Sequence, residues 1–292
     1  MRPLLVVLLA AAAALAHSPT TPFGGDAHQR DAWLPGYHFV PRPFGWMNDP
    51  DGVFWDPVHK KAHMFYQYET PRTWGHAVSD DWVHWKQLPV ALSTDTWFDR
   101  GGVFTGSATV LDDAAQTPVF SYSVNTNNMQ ALAFPKNRSD PELVEWVKPE
   151  YNPIITAANG APDGRDDTSL WRSADGERWL LAYGTKTGAV VYQSPRCPPS
   201  AEPRACLGSA NWTRVTMLMN STTGQFEMPD FYSVPGSPQV HVVQANTPPH
   251  NDAKRFTACN CPWVTGTYTN ASIPAFATGA GQFMGDPLQV YE

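Results

Sequence analysis

An all-β fold, a β-propeller of four-stranded blades, is what this sequence predicts, and three observations predict it. The first is the pattern of apolar runs. Past the N-terminus they are short and rich in aromatics, as in "HMFYQYE", "GVFTGSATVL", "PVFSYSV", "QALAFP", "RWLLAYGT", "GAVVYQS" and "QVHVVQA", and Gly, Pro, Asn or Asp breaks them apart. Such runs read as the strands of a meander. The second is proline: 28 of them suit turns and edges, not helix interiors. The third is a weak repeat. "DDWVHWKQLPVAL", "PELVEWVKPEYNPII" and "GSANWTRVTMLM" centre on Trp85, Trp146 and Trp212, spaced by 61 and 66 residues. Each has a polar turn, a Trp and then Val, Leu or Ile, and a period of this length fits one blade with long loops.

The elements follow in chain order. "MRPLLVVLLAAAAALAHS" has a positive start, an apolar run and a small-x-small end, so residues 1–16 read as a secretory signal peptide and 17–36 as a leader segment. The apolar run is too short for a membrane span, and no later stretch is long and apolar enough to cross a bilayer. Residues 37–292 are assigned to the partial propeller domain. Export agrees with four N-x-S/T sequons, at Asn137, Asn211, Asn220 and Asn270. Cys197 and Cys206 flank a short Pro-rich insert and are expected to close it as a disulfide. Cys259 and Cys261 stand one residue apart, where a bridge would be strained. With no His-rich partner set, no metal site is expected. Hydrophobic content of 42% and charged content of 16% suit a sizeable core. A net charge of −7 argues against a nucleic-acid partner.

A propeller holds its ligand at one mouth of the central channel, where successive blades each deliver residues. Functional groups should therefore come from blade-spaced segments. Three carboxylates are spaced that way: Asp49 in "GWMNDPDGVFWDP", Asp166 in "GRDDTSLW" and Glu227 in "QFEMPDFYSV". Each lies among aromatic or apolar residues. On local chemistry alone "NDPDG" reads equally as a polar turn.

"WMNDPDG", "RDDTSLW" and "EMPDFY", with "FYQY", "WGHAVSDDWVHWKQLPVAL" and "GVFTGSATV", closely resemble the signature segments of glycoside hydrolase family 32, the invertases and fructan hydrolases. The likeness runs from about Tyr37 to about Tyr268, and this motif set in this order is very specific. It implies a five-bladed β-propeller followed by a C-terminal β-sandwich, and hydrolysis of β-D-fructofuranosyl bonds in sucrose or fructans with retention. No cofactor is required. By the resemblance Asp49 is the nucleophile, Glu227 the acid/base and Asp166 the transition-state stabiliser, with Arg165 beside it. Trp46, Asn48, Gln67, Trp74, Phe104 and Thr105 are placed around the fructosyl subsite. The chemistry asks for such a set: two carboxyls about 5–5.5 Å apart, one ionised and one protonated. Donors near Asp49, Asn48 among them, favour its charge. Apolar Phe226 and Met228, with repulsion from the other acids, favour a proton on Glu227.

Three positions depart from the family pattern. Asp51 stands for the usual Asn and adds charge near the nucleophile. Asp167 stands for a usual Pro, and Met228 for a common Cys. The chain also offers room for only about four blades, so the fifth blade and the sandwich are expected to be missing and the enzyme to be weak or inactive. The alternative is a truncated, non-catalytic sugar-binding or inhibitory relative. A related glycosidase acting on arabinose or xylose is disfavoured by the continuous "WMNDPDG" and "EMPDFY". The expected compartment is extracellular or the vacuolar lumen.

Overall fold

The computed structural model describes residues 38–42, 45–69, 72–124, 129–159, 169–173, 175–208, 211–220, 227–234, 236–246 and 263–267. The chain divides into two compact units, Met1–Val40 and Pro41–Glu292; the fold below is that of the second. The expected signal peptide and leader, Arg165, Asp166, Asp167, Phe226, Cys259, Cys261 and Asn270 lie outside the described residues.

Four antiparallel sheets follow one another along the chain. The first is β1 (Met47–Asp56), β2 (Lys61–Tyr68), β3 (Thr73–Ser79) and β4 (Trp85–Leu92). The second is β5 (Val103–Val110), β6 (Pro118–Val124), β7 (Met129–Pro135) and β8 (Trp146–Val147). The third is β9 (Leu170–Arg172), β10 (Trp179–Thr185), β11 (Gly188–Gln193) and β12 (Thr213–Asn220). The fourth is β13 (Glu227–Val234), β14 (Ser237–Asn246) and β15 (Trp263–Thr267). Each is a plain meander, as the run pattern predicts. The tryptophan repeat marks one place in it: Trp85 opens β4, Trp146 opens β8 and Trp212 directly precedes β12. Each therefore stands at the last strand of its sheet.

The sheets stack in chain order, β1 against β5, β5 against β9 and β10 against β13. Three apolar clusters fill the gaps. Phe65 and Trp74 meet Phe120 and Tyr122 between the first two sheets. Val119, Leu132 and Phe134 meet Trp179, Leu181 and Tyr183 between the second and third. Leu180 and Ala182 meet Phe231 and Val243 between the third and fourth. Strands β6 and β10 are buried along their whole length because alternate residues enter different clusters. A strand covered on both faces needs no polar alternation, which is why "RWLLAYGT" is a nearly unbroken apolar run; in β6 the alternate positions on one face are the small buried Ser121 and Ser123. Each fully buried large side chain contributes roughly 2–3 kcal/mol.

Polar stitches join the first strands in series. The Gly106 amide donates to Asp51 Oδ1 at 3.2 Å. The Thr109 hydroxyl donates to the Leu170 carbonyl at 2.7 Å. The Phe231 amide donates to Ser169 Oγ at 3.0 Å, and that hydroxyl donates to the Pro229 carbonyl at 3.3 Å. At the far end of β1, buried Asp56 accepts two hydrogen bonds of 2.6 Å from the Arg138 guanidinium, which also donates to the Ala115 and Gln116 carbonyls of the second sheet.

The expected disulfide is present. Cys197 and Cys206 are bonded with Cα atoms 5.6 Å apart, the second of them within α1 (Pro203–Leu207), whose N-cap Glu202 accepts from the Ala205 amide. Trp212 Nε1 donates to the Leu207 carbonyl at 3.2 Å and ties this insert to the third sheet. Of the sequons, Asn137 and Asn211 are exposed.

His63 and His76 are fully buried and share one hydrogen bond, Nδ1 to Nε2, at 3.0 Å. His63 stacks on Phe54, with ring centroids 4.8 Å apart. Burial pushes His63 down to about 4, and burial followed by the His63 neighbour pushes His76 well below the ordinary value. Both are therefore neutral when folded and gain protons when unfolded below about pH 6.5. Stability is complete above that value and is lost as pH falls towards 4, by roughly 1.4 kcal/mol per pH unit for each group. Urea midpoints should fall between pH 7 and 5, and His63→Gln should flatten that fall. An unchanged slope in the variant would refute the assignment.

Candidate active site

The turn chemistry of "NDPDG" does not make a turn. It lies within β1, a strand interrupted twice. Met47 faces Tyr68 and Pro50 faces Tyr66, so Asn48 and Asp49 together oppose Gln67. The same interruption recurs in two other first strands. Val103 faces Val124 and Gly106 faces Tyr122, so Phe104 and Thr105 together oppose Ser123. Glu227 faces Asn246 and Asp230 faces Gln244, so Met228 and Pro229 together oppose Ala245. Each is a β-bulge near the start of the first strand of its sheet. Bulges re-aim side chains and break the alternation that would otherwise bury every second one.

Proline supplies part of the cause. Pro50 follows the first bulge and Pro229 sits in the third, and neither has an N–H to give a ladder. Met228 takes φ +49°, a left-handed conformation unusual for a side chain of its size. Gly52, at φ +50°, forms the second interruption of β1, where Phe120 and Trp74 press close.

Four of the expected site residues thus occupy bulges: Asn48, Asp49, Phe104 and Thr105. Glu227 directly precedes a third. Gln67 is buried opposite Asp49, and its Nε2 donates to Asp49 Oδ2 at 3.2 Å. Gln67 Oε1 and Thr105 Oγ1 are buried polar atoms with no hydrogen-bond partner among the described residues. Trp74 is fully buried; its indole N–H donates to the Phe104 carbonyl at 2.7 Å, and its ring packs edge-on against Phe120. Among the described residues Trp74 therefore fixes where Phe104 stands. Trp46 is 42% exposed, and its carbonyl accepts from the Glu69 amide. Asp49 and Glu227 are both half-buried.

The sequence did not single out two residues that the structure places here. Ser169, three positions after Asp166 in the sequence, donates to the Pro229 carbonyl and accepts from the Phe231 amide, tying the start of β9 to the strand of Glu227. Arg72 lies with its guanidinium carbon 4.6 Å from the Phe104 ring centroid and 5.6 Å from that of Trp46. Its carbonyl accepts from the Val103 amide at 2.9 Å, joining the first sheet to β5. Asp51, the departure noted in the sequence, is buried and anchors β1 to β5 through Gly106. Among the described residues no group of three or more His, Cys, Asp or Glu could hold a metal ion. No helix among them is long and apolar enough to cross a membrane.

The model of the glycosyl hydrolases family 32 N-terminal domain matches residues 38–275. An acid beta-fructofuranosidase of Solanum lycopersicum is 38% identical over 240 residues, which cover 72% of this chain and 34% of that protein. The acid beta-fructofuranosidase AIV-18 of Capsicum annuum is 37% identical, covering 68% of this chain and 30% of that one. Among solved structures, fructan 1-exohydrolase IIa from Cichorium intybus superposes with a TM-score of 0.62 at 31% identity, covering 80% of this chain and 44% of that one. The chain thus spans about a third of the length of these curated relatives.

Proposed function

The chain belongs to glycosyl hydrolase family 32, and from that premise we propose that its site hydrolyses terminal β-D-fructofuranosyl bonds of sucrose or fructans with retention. What supports this reading is the repeated bulge near the start of the first strands of two sheets: Asp49 lies in one, and Glu227 directly precedes the other. Asp49 attacks the anomeric carbon while Glu227 protonates the departing oxygen, leaving a fructosyl ester on Asp49. Glu227, now ionised, takes a proton from water; the hydroxide attacks the same carbon, and Asp49 leaves as carboxylate. Asp166, with Arg165 beside it, stabilises the charge developing on the sugar. Asn48, Gln67, Trp46, Trp74, Phe104 and Thr105 shape the fructosyl subsite. Export to the cell exterior or the vacuolar lumen, and glycans on the sequons, complete the proposal. One curated relative, from a Rosa hybrid cultivar, is named as vacuolar.

The deciding test is fructose release from a panel of sucrose, inulin and levan by the purified mature chain. Release that is lost in Asp49→Asn supports hydrolysis. Sugar binding with no release in any member of the panel supports the non-catalytic alternative. The hydrogen bond from Gln67 holds the Asp49 carboxylate in place. Gln67→Leu keeps the volume and removes that donor, so kcat should fall about tenfold with little change in Tm. Unchanged kcat would mean that the bond has no part in the reaction.

A further inference from the structure

Arg72 is a half-buried cation for which the structure records no carboxylate or other acceptor on its side chain among the described residues, although its backbone is bound into the sheet. Two aromatic rings hold it instead. The guanidinium carbon is 4.6 Å from the Phe104 centroid and 5.6 Å from the Trp46 centroid. Both distances lie within cation–π range. Gly102, at φ +131°, sits beside this group; a Cβ there would stand 3.0 Å from the Phe104 ring and 3.6 Å from Arg72 Cβ. The backbone around Arg72 is also fixed. Its carbonyl takes the Val103 amide, and the next residue, Thr73, pairs with Tyr68 in β2. The cation is thus rigidly placed at the end of the first sheet that carries Asn48 and Asp49, against two residues of the fructosyl subsite.

An arginine used only to support structure ordinarily has its donors taken by carboxylates or carbonyls, as Arg138 does here. Arg72 keeps five N–H donors that the rings do not use, in a planar fork that loses little freedom on binding. Trp46, 42% exposed, offers a flat apolar surface beside it, with the buried Phe104 ring backing the guanidinium. That combination, an apolar platform with fixed donors at its edge, matches a sugar, whose C–H face stacks and whose hydroxyl oxygens accept.

We propose that Arg72 is a substrate-binding residue that donates hydrogen bonds to hydroxyl oxygens of the bound sugar and so sets affinity at this site. The inference rests on the fructosidase reading above. It concerns binding held equally in the ground and transition states, so it belongs to KM and not to kcat.

The test compares wild type, Arg72→Met and Arg72→Lys. Methionine keeps an apolar stem between the rings and removes the donors; lysine keeps the charge without the fork. Binding of sucrose and of fructose is read from tryptophan fluorescence, turnover from fructose release, and folding from Tm. Arg72→Met should weaken binding and raise KM about tenfold, with kcat within threefold and Tm within a few degrees. Arg72→Lys should fall between the two. If wild type binds sugar and Arg72→Met binds it equally well, Arg72 is only packing and the proposal is wrong while the fructosidase reading stands. If wild type neither binds nor cleaves any of these sugars, both fall together.

Discussion

Asp49→Asn should abolish fructose release, lowering kcat by roughly four orders of magnitude or more, with Tm nearly unchanged. The substitution is close to isosteric, and Gln67 still has a carbonyl oxygen to bond. What is lost is the charge that, in the proposed mechanism, attacks the sugar to form the covalent intermediate. Glu227→Gln should behave differently. It removes the proposed proton donor, so a substrate whose leaving group needs no protonation, such as β-fructosyl fluoride, should recover part of its first step. That recovery should be absent in Asp49→Asn. If Asp49→Asn kept more than about 1% of the wild-type rate, Asp49 would not be the nucleophile. If the fluoride failed to rescue Glu227→Gln, Glu227 would not be the acid.

The second large effect is on stability. Arg138→Met should cost about 3–5 kcal/mol, because it leaves the Asp56 carboxylate buried without its ion pair. At this chain length that corresponds to a Tm drop on the order of 10 °C. Burial alone would raise the Asp56 carboxyl, but hydrogen bonds from Arg138, His59 and the Val58 amide outweigh it and hold the group well below the usual carboxylate range. Its stabilising contribution is therefore complete above about pH 4 and fades as pH falls further. In Arg138→Met that acid dependence should vanish. The double variant Asp56→Asn/Arg138→Met should recover part of the loss, since the stranded charge is gone. A double variant no better than the single one would place the cost elsewhere.

Strand existence was legible in the residues, and so was the meander, because the short apolar runs and their Gly, Pro and Asn breaks survive in every sheet. The tryptophan repeat was legible as a period but not as a place. Only the structure shows that Trp85, Trp146 and Trp212 all stand at the last strand of a sheet. The candidate carboxylates could be read from motif and spacing. Their setting could not. Asn-Asp-Pro-Asp-Gly has the composition of a turn, and burial of Asp51 and Gly52 against the second sheet overrides that preference. The nearest local signal was the proline in "NDP" and in "EMP", which marks a break in a ladder without saying that the strand continues past it. Arg72 and Ser169 left no such signal. Their roles depend on partners from 26 to 62 positions away, such as Trp46 and Phe231, and pairing at that range is a property of the packed sheets.

The bulges also make length itself a requirement. At each one the first strand spends two residues where its neighbour spends one. Deleting a single residue there would leave the flanking pairs on their faces but give a regular ladder, with one residue where two now bow out of it. A relative or a design one residue short at position 48 or 49 would keep the flanking pairs and lose the bulge itself, and with it the setting that Asp49 now has. Comparison of such proteins should therefore count residues between landmarks before it compares their identities.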